Sequence, residues 1–212
     1  MRLYPLENKR VLVVKPKAAE FLKAYTTNTP DRPKTAFIDL QGKIVAVADQ
    51  FLLSEDEARL AVEAQFVERL LAHLEKYLKL GNTEIKVEEG ASVAFDLDKG
   101  AVVLNPEKFS LDISEEEYRL TRVKKNLPEQ GVDFDRELLL NVFDEELVSY
   151  TKGCYLGQEI IARVHYRSKP PRKLVVKRES ECSAHEKEAM SSRVFDPDAG
   201  ENIGFVFVGN SV

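Results

Sequence analysis

Three observations predict an α+β fold. Two segments carry apolar residues at helical spacing: Ala18, Phe21, Leu22 and Tyr25, and later Phe66, Val67, Leu70, Leu71, Leu74, Tyr77 and Leu78. Two β-type runs, Thr35–Leu40 and Lys43–Asp49, are separated only by Gln41-Gly42, the spacing of a hairpin. Strands and helices also follow one another irregularly, which points away from a strictly alternating parallel sheet.

Val11-Leu12-Val13-Val14 is a short apolar strand, and Pro16 is placed to open the first helix. Thr26-Thr27-Asn28-Thr29-Pro30 is turn chemistry that stops it. After the hairpin, Ser54 and Glu57 match a capping box, but a tight turn followed by a strand near Ala58–Glu63 fits the pattern better. The long helix then runs to Gly81, a helix-ending residue. Strands are expected at Glu84–Glu88, Ser92–Leu97 and Ala101–Leu104. A capping box of Ser114 and Glu117 starts a helix running to about Asn126, before Pro128, and Glu115-Glu116-Glu117 suits the positive end of its dipole. Asp144-Glu145-Glu146 reads as a solvated turn. Pro170-Pro171 marks a boundary, dividing the chain into 1–168 and a small β module over 169–212, with strands at Leu174-Val175-Val176 and Gly204–Val208 and a polar stretch between them.

Composition narrows the function classes. At 212 residues, 43% hydrophobic and 32% charged, the chain has the make-up of a globular protein with a sizeable core. Its 31 lysines and arginines against 36 aspartates and glutamates leave a charge of −5, which argues against a general nucleic-acid or anionic-membrane binder. No run approaches the roughly 20 apolar residues that span a bilayer, and the first residues lack a signal peptide's apolar stretch, so a cytoplasmic protein is expected. Two cysteines, Cys154 and Cys182, are too few for a disulfide framework. Cys182 and His185 form a lone Cys-x-x-His without the second close pair of a metal site, so no metal is expected. Phosphate-loop, dinucleotide and nucleophile-elbow motifs are absent.

Chemistry concentrates in Lys152-Gly153-Cys154-Tyr155-Leu156-Gly157-Gln158-Glu159-Ile160-Ile161-Ala162-Arg163. Gly153 and Gly157 flank the cysteine and mark a turn, and a helix begins near Gly157. A cysteine just before a helix start, with Lys152 nearby, sits where a thiolate is stabilised. The same pattern also suits an inert cysteine packed in a tight turn.

This segment resembles the signature of the YgfZ-type folate-binding proteins, relatives of the glycine cleavage T-protein (aminomethyltransferase) that act in maturing or repairing iron–sulfur proteins. The resemblance extends over nearly the whole chain. It takes in Ala18-Ala19-Glu20-Phe21-Leu22 with Thr26-Thr27-Asn28, the strand–turn–strand around Gln41-Gly42-Lys43, and Leu74–Leu78 before Ile85-Lys86-Val87. Arg122 before Leu127-Pro128, Asn141, and the glycine-rich Gly200–Gly204 agree as well. The resemblance implies the T-protein fold with a short C-terminal β-barrel, and a tetrahydrofolate or other reduced folate as ligand. It implies Cys154 and Lys152 as the reactive pair in a loop shaped by Gly153, Tyr155, Gly157, Gln158, Glu159 and Arg163. Asn28, Arg122, Asn141, Tyr155 and Glu159 are the implied folate contacts. Iron–sulfur client or assembly proteins are the implied partners, and a monomer is expected.

The sequence departs from T-proteins in ways that bear on activity. The acidic pair that T-proteins carry after the glycine turn falls on Ala46 and Val47, and their pterin-binding glutamate on Lys124. Asp49 is the nearest carboxylate, on the same side of the strand as Val47. The resemblance thus implies an accessory factor, with folate-dependent aminomethyl transfer, using Asp49 or Asp39, as the alternative. From Ile160 to Arg178 seven cations occur without a carboxylate, either a solvated surface or an anion site.

Overall fold

A computed structural model describes residues 2–110, 112–144 and 146–209; Glu145 of the expected acidic turn and the last three residues of the expected C-terminal module lie outside them. The chain opens with β1 (Leu3–Pro5), β2 (Lys9–Lys15) and α1 (Ala18–Tyr25). The hairpin follows as β3 (Lys34–Ile38) and β4 (Ile44–Leu52), then β5 (Ala58–Glu63) and the long α2 (Val67–Gly81). Next come β6 (Glu84–Val87), β7 (Val93–Asp96), β8 (Ala101–Leu104), α3 (Glu115–Lys124), α4 (Leu139–Val142) and α5 (Gln158–Arg167). The chain closes with β9 (Arg172–Arg178), α6 (Ala184–Ala189), β10 (Ser191–Asp196) and β11 (Glu201–Gly209).

The mixed α and β character holds, with three antiparallel sheets among the described residues. The largest is ordered β3-β4-β5-β2-β6, and its strand parity sorts the core. Leu12, Val14, Leu60 and Val62 pack on one face with Phe21 and Leu22 of α1 and Leu70 and Leu74 of α2. Val11 and Ala61, one residue out of phase, pack on the other face with Phe95 of the smaller β1-β7-β8 sheet. A third cluster joins Ile38 and Ile44 at the hairpin to α4, Ile161 of α5, and Leu174 and Phe205 of the C-terminal sheet. Among the described residues no helix is long and apolar enough to cross a membrane.

Several expectations need correction. The C-terminal module is an open three-stranded sheet, β10-β11-β9, with no closed barrel among the described residues. Its polar linker hides α6, whose Ser183 and Glu186 form a reciprocal capping box, and β10, whose irregular pairing disguises its period. The long helix ends at Gly81 as expected, and it is Asn82 just beyond it that takes the left-handed conformation at φ 50°. The first helix starts at Ala18, two residues after Pro16, and α3 ends at Lys124, with Asn126 at φ 53°. The Ser54 turn, which donates from its backbone N–H to Glu57 O, and the strand after it are as the sequence indicated.

The cluster containing Ile38 and Phe205 runs across residue 168 without a break. Phe205→Ala removes a fully buried ring and should cost about 3–5 kcal/mol. A urea melt followed by far-ultraviolet circular dichroism should show one cooperative transition in both proteins; two transitions would mean that the C-terminal sheet folds on its own.

Candidate functional site

The interior between the large sheet and α3 is charged. Lys9, at the start of β2, faces the same way as Val11 and Val13 and meets two carboxylates on neighbouring strands. Its Nζ lies 3.1 Å from Asp49 Oδ2 and 3.0 Å from Glu63 Oε1. Lys34 Nζ reaches the other Asp49 oxygen at 3.9 Å. Asn8 Nδ2 donates to Glu63 (2.7 Å) and to Glu129 (3.2 Å). Arg122 of α3 continues the chain, its Nε 3.3 Å from Glu129 and its Nη1 donating to Asp133 at 2.8 Å. Ser191 and Ser192, at the start of β10, donate to the far oxygen of Asp133.

Of these groups, Lys9, Lys34, Asp49, Glu63, Arg122 and Glu129 line a cavity of about 50 Å³, walled also by Val47, Phe95, Val102 and Leu127. It shares Lys34, Asp49, Val102 and Leu127 with a pocket of about 120 Å³ beneath Phe51. On its other flank it shares Tyr118, Arg122 and Glu129 with a groove of about 460 Å³, where Tyr4 stacks on Tyr118 at 4.4 Å. Burial opposes the charge of Lys9, but Asp49 and Glu63 outweigh it and raise its pKa. Burial raises Glu63, against the pull of Lys9, and raises the Tyr118 hydroxyl strongly.

The cysteine segment forms a second constellation. Lys152 Nζ donates to the backbone carbonyls of Thr26 and Asn28, both at 2.8 Å, and lies 5.0 Å from the centre of the Tyr155 ring. Burial pulls this ammonium down to about 8. Tyr155 is buried, and its hydroxyl is pushed up by burial; its backbone N–H donates to Gln158 Oε1. Gly157 has φ +81°, and a Cβ there would stand 2.6 Å from Asp39 O, so the loop is pressed against the hairpin turn. Gly153 is unlike it: a Cβ there would meet open space, and its φ is not positive. Cys154 is exposed.

The other residues singled out by the sequence lie apart from one another. Asn28 donates from Nδ2 to Lys34 O and Glu146 O, each at 2.9 Å, beside Lys152. Arg122 alone of the five implied folate contacts lines the charged cavity. Asn141 donates to Glu137, while Glu159 and Arg163 pair with each other on the outside of α5. Val47 and Asp49 share the cavity as their spacing indicates, whereas Ala46 packs against the helices. Lys124 is held by Asp196 and Asp198, outside the cavity. Sequence reasoning missed Lys9, Glu63, Glu129 and Gln130; the signal was parity, since Lys9 and Glu63 flank apolar strands in the phase that faces inward. Among the described residues no His, Cys, Asp and Glu cluster could hold a metal, Cys182 and His185 included.

The architecture is that of the glycine cleavage T-protein fold. The chain superposes on the crystal structure of glycine cleavage system aminomethyltransferase T from Bartonella henselae with a TM-score of 0.74, covering 98% of this chain and 78% of that one at 14% identity. An uncharacterized protein of Haemophilus influenzae is 24% identical over 164 residues, which are 67% of this chain and 58% of that protein. The chain therefore spans less than two thirds of that relative's length. No protein-family model matches.

Two substitutions separate the glycines. Gly157→Ala should destabilise the protein by about 1–3 kcal/mol through backbone strain, while Gly153→Ala should leave the melting temperature unchanged. Equal shifts in a thermal melt would rule out the close approach at Gly157. For Lys152, the unfolded chain holds more protons between pH 8 and the ordinary lysine value of 10.5, so this group makes stability rise with pH across that window. NMR titration of the lysine Cε resonances should give one that turns near pH 8 and is missing in Lys152→Arg.

Proposed function

We propose that the charged cavity is a reduced-folate site, and that the protein is a tetrahydrofolate-binding accessory factor for assembling or repairing iron–sulfur proteins. The observation that carries the reading is the pair of buried carboxylates Asp49 and Glu63, with the half-buried Glu129, lining an interior cavity of a T-protein fold. A pterin presents an amino group and a ring N–H side by side, and a buried carboxylate is the natural acceptor for such a pair. Val47, Phe95, Val102 and Leu127 supply apolar surface for the ring faces. The donor set suits the ligand, but about 50 Å³ falls short of the roughly 300–1,000 Å³ of ordinary ligand pockets. Lys34 and Tyr118, which stand between this cavity and its neighbours, would have to swing aside on entry.

In this reading Cys154 is the reactive group offered to a client, and Lys152 fixes its loop through the Thr26 and Asn28 carbonyls. Gly157 and Gln158 hold the turn, and Glu159 and Arg163 present a polar helix face to the partner. We place the protein in the cytoplasm as a monomer. Aminomethyl transfer remains the second reading because Glu63, with its pKa raised by burial inside the cavity, could hold and pass a proton.

Calorimetric titration with tetrahydrofolate under reducing conditions tests the site. One-to-one binding should weaken at least tenfold in Asp49→Asn and survive in Cys154→Ala. Absence of binding by the wild-type protein would refute the folate reading. Formation of methylenetetrahydrofolate with release of ammonia when an aminomethyl donor and tetrahydrofolate are supplied, lost in Glu63→Gln, would favour the transferase instead.

A further inference from the structure

The open C-terminal sheet leaves β9 with a single neighbour, β11, among the described residues. A groove of about 530 Å³ follows β9, lined by six consecutive residues, Lys173–Arg178. Consecutive strand residues point to opposite faces, so a groove that touches all six reaches the strand's edge. It also extends under the sheet to Ile203 of β11 and Asp196 of β10, and Asp196 and Glu181 place two carboxylates at its Arg178 end. The last turn of α3, with Val123 and Lys124, forms the opposite wall. α4 covers only the start of the strand, where Leu140 O accepts from Lys173 Nζ.

Charge decides what could pair there. The strand reads Arg172-Lys173-Leu174-Val175-Val176-Lys177-Arg178, nearly symmetric about Val175. Antiparallel pairing of two copies about that residue would set Arg172 against Arg178 and Lys173 against Lys177, four like-charge oppositions across the new ladder. The edge is therefore protected against its own copy in the way exposed edges commonly are. A segment with an apolar centre and acidic flanks would meet the reverse situation. Arg172, Lys173 and Lys177 now rest on Glu137, Asp144 and Glu186, surface ion pairs that an incoming carboxylate can replace.

We infer that the edge of β9 is a docking site for an extended acidic segment of a partner protein, which adds as a fourth strand to the β10-β11-β9 sheet. The site is independent of the folate cavity, since none of its lining residues contributes there.

The test uses a fluorescein-labelled peptide, Glu-Glu-Val-Thr-Val-Glu-Glu, against the full chain, read by fluorescence anisotropy. A second peptide of the same charge carries proline in place of threonine. The first should bind saturably, with backbone amides of β9 gaining protection from hydrogen exchange, and the proline peptide should bind at least tenfold more weakly. Lys173→Glu/Lys177→Glu should abolish binding of the acidic peptide and accept one with lysine flanks. Equal affinity for both acidic peptides would mean charge attraction without strand addition and overturn the proposal. So would tighter binding of a single-stranded oligonucleotide of equal charge, or a dimer in sedimentation that Val175→Pro dissolves. The peptide comparison needs only the wild-type protein, so the test stands even if the double variant fails to fold.

Discussion

The interior of this protein is organised around one buried ammonium. Lys9 of β2 reaches both Glu63 on the adjacent β5 and Asp49 on β4 beyond it, and the carboxylates could not be buried there without it. Such a cluster is a poor source of net stability, because desolvation offsets most of the attraction. Removing one partner is another matter, at about 3–5 kcal/mol for an uncompensated buried charge. The network is thus expensive to break and offers little for being kept, which is the pattern of a feature retained to fix geometry. Through Asn8, Glu129, Arg122 and Asp133 it also ties the large sheet to α3 and to β10.

The same chain of contacts brings the cysteine segment within reach of the cavity. Lys152 donates to Asn28 O, Asn28 donates to Lys34 O, and Lys34 approaches Asp49. Three residues therefore join the turn that holds the exposed thiol to the charged interior. On the other side, Gly157 locks that turn onto Asp39, at the end of β3. A shift of β3 would be felt at both places, because the strand carries Lys34 at its start and abuts the turn at its end. This continuity is a physical route, and coupling along it is a question for measurement.

The sequence made the framework legible where local signals were undivided. The Gln41-Gly42 hairpin, the Ser114 cap and the stripe of α2 each had one period and one terminator, and each formed close to its expected bounds. Local signals failed where tertiary structure chose between them. Gly81 and Asn82 both suit a helix end, and the left-handed residue proved to be the asparagine. The Ser183 capping box was hidden in a stretch too polar for a helical stripe, since α6 has no fully buried residue. The site divided in the same way. The cysteine turn is local and could be read as a motif, whereas Lys9 and Glu63 lie far apart in sequence and meet only through strand register, with Glu129 brought to them from the segment after α3.

The charge balance of the cavity limits what it can accept. Lys9, Lys34 and Arg122 face Asp49, Glu63 and Glu129, three cations against three carboxylates. A guest with a full negative charge would upset that balance in a place with little water to screen it. A neutral guest with hydrogen-bond donors would not, since it could use carboxylate lone pairs that the cations leave open. Glu63, whose burial lets it hold a proton more readily than an ordinary glutamate, can absorb one unit of mismatch. In the folate reading proposed above, the cavity would take the uncharged pterin head and leave the anionic tail outside. Of the two mouths, the one at Lys34 puts a cation where such a tail would emerge, whereas the Tyr4 groove is rimmed by Glu7, Glu115 and Glu129 beside Arg119 and Arg122. In that reading, electrostatics would orient the ligand with its head toward Glu63 and its tail past Lys34.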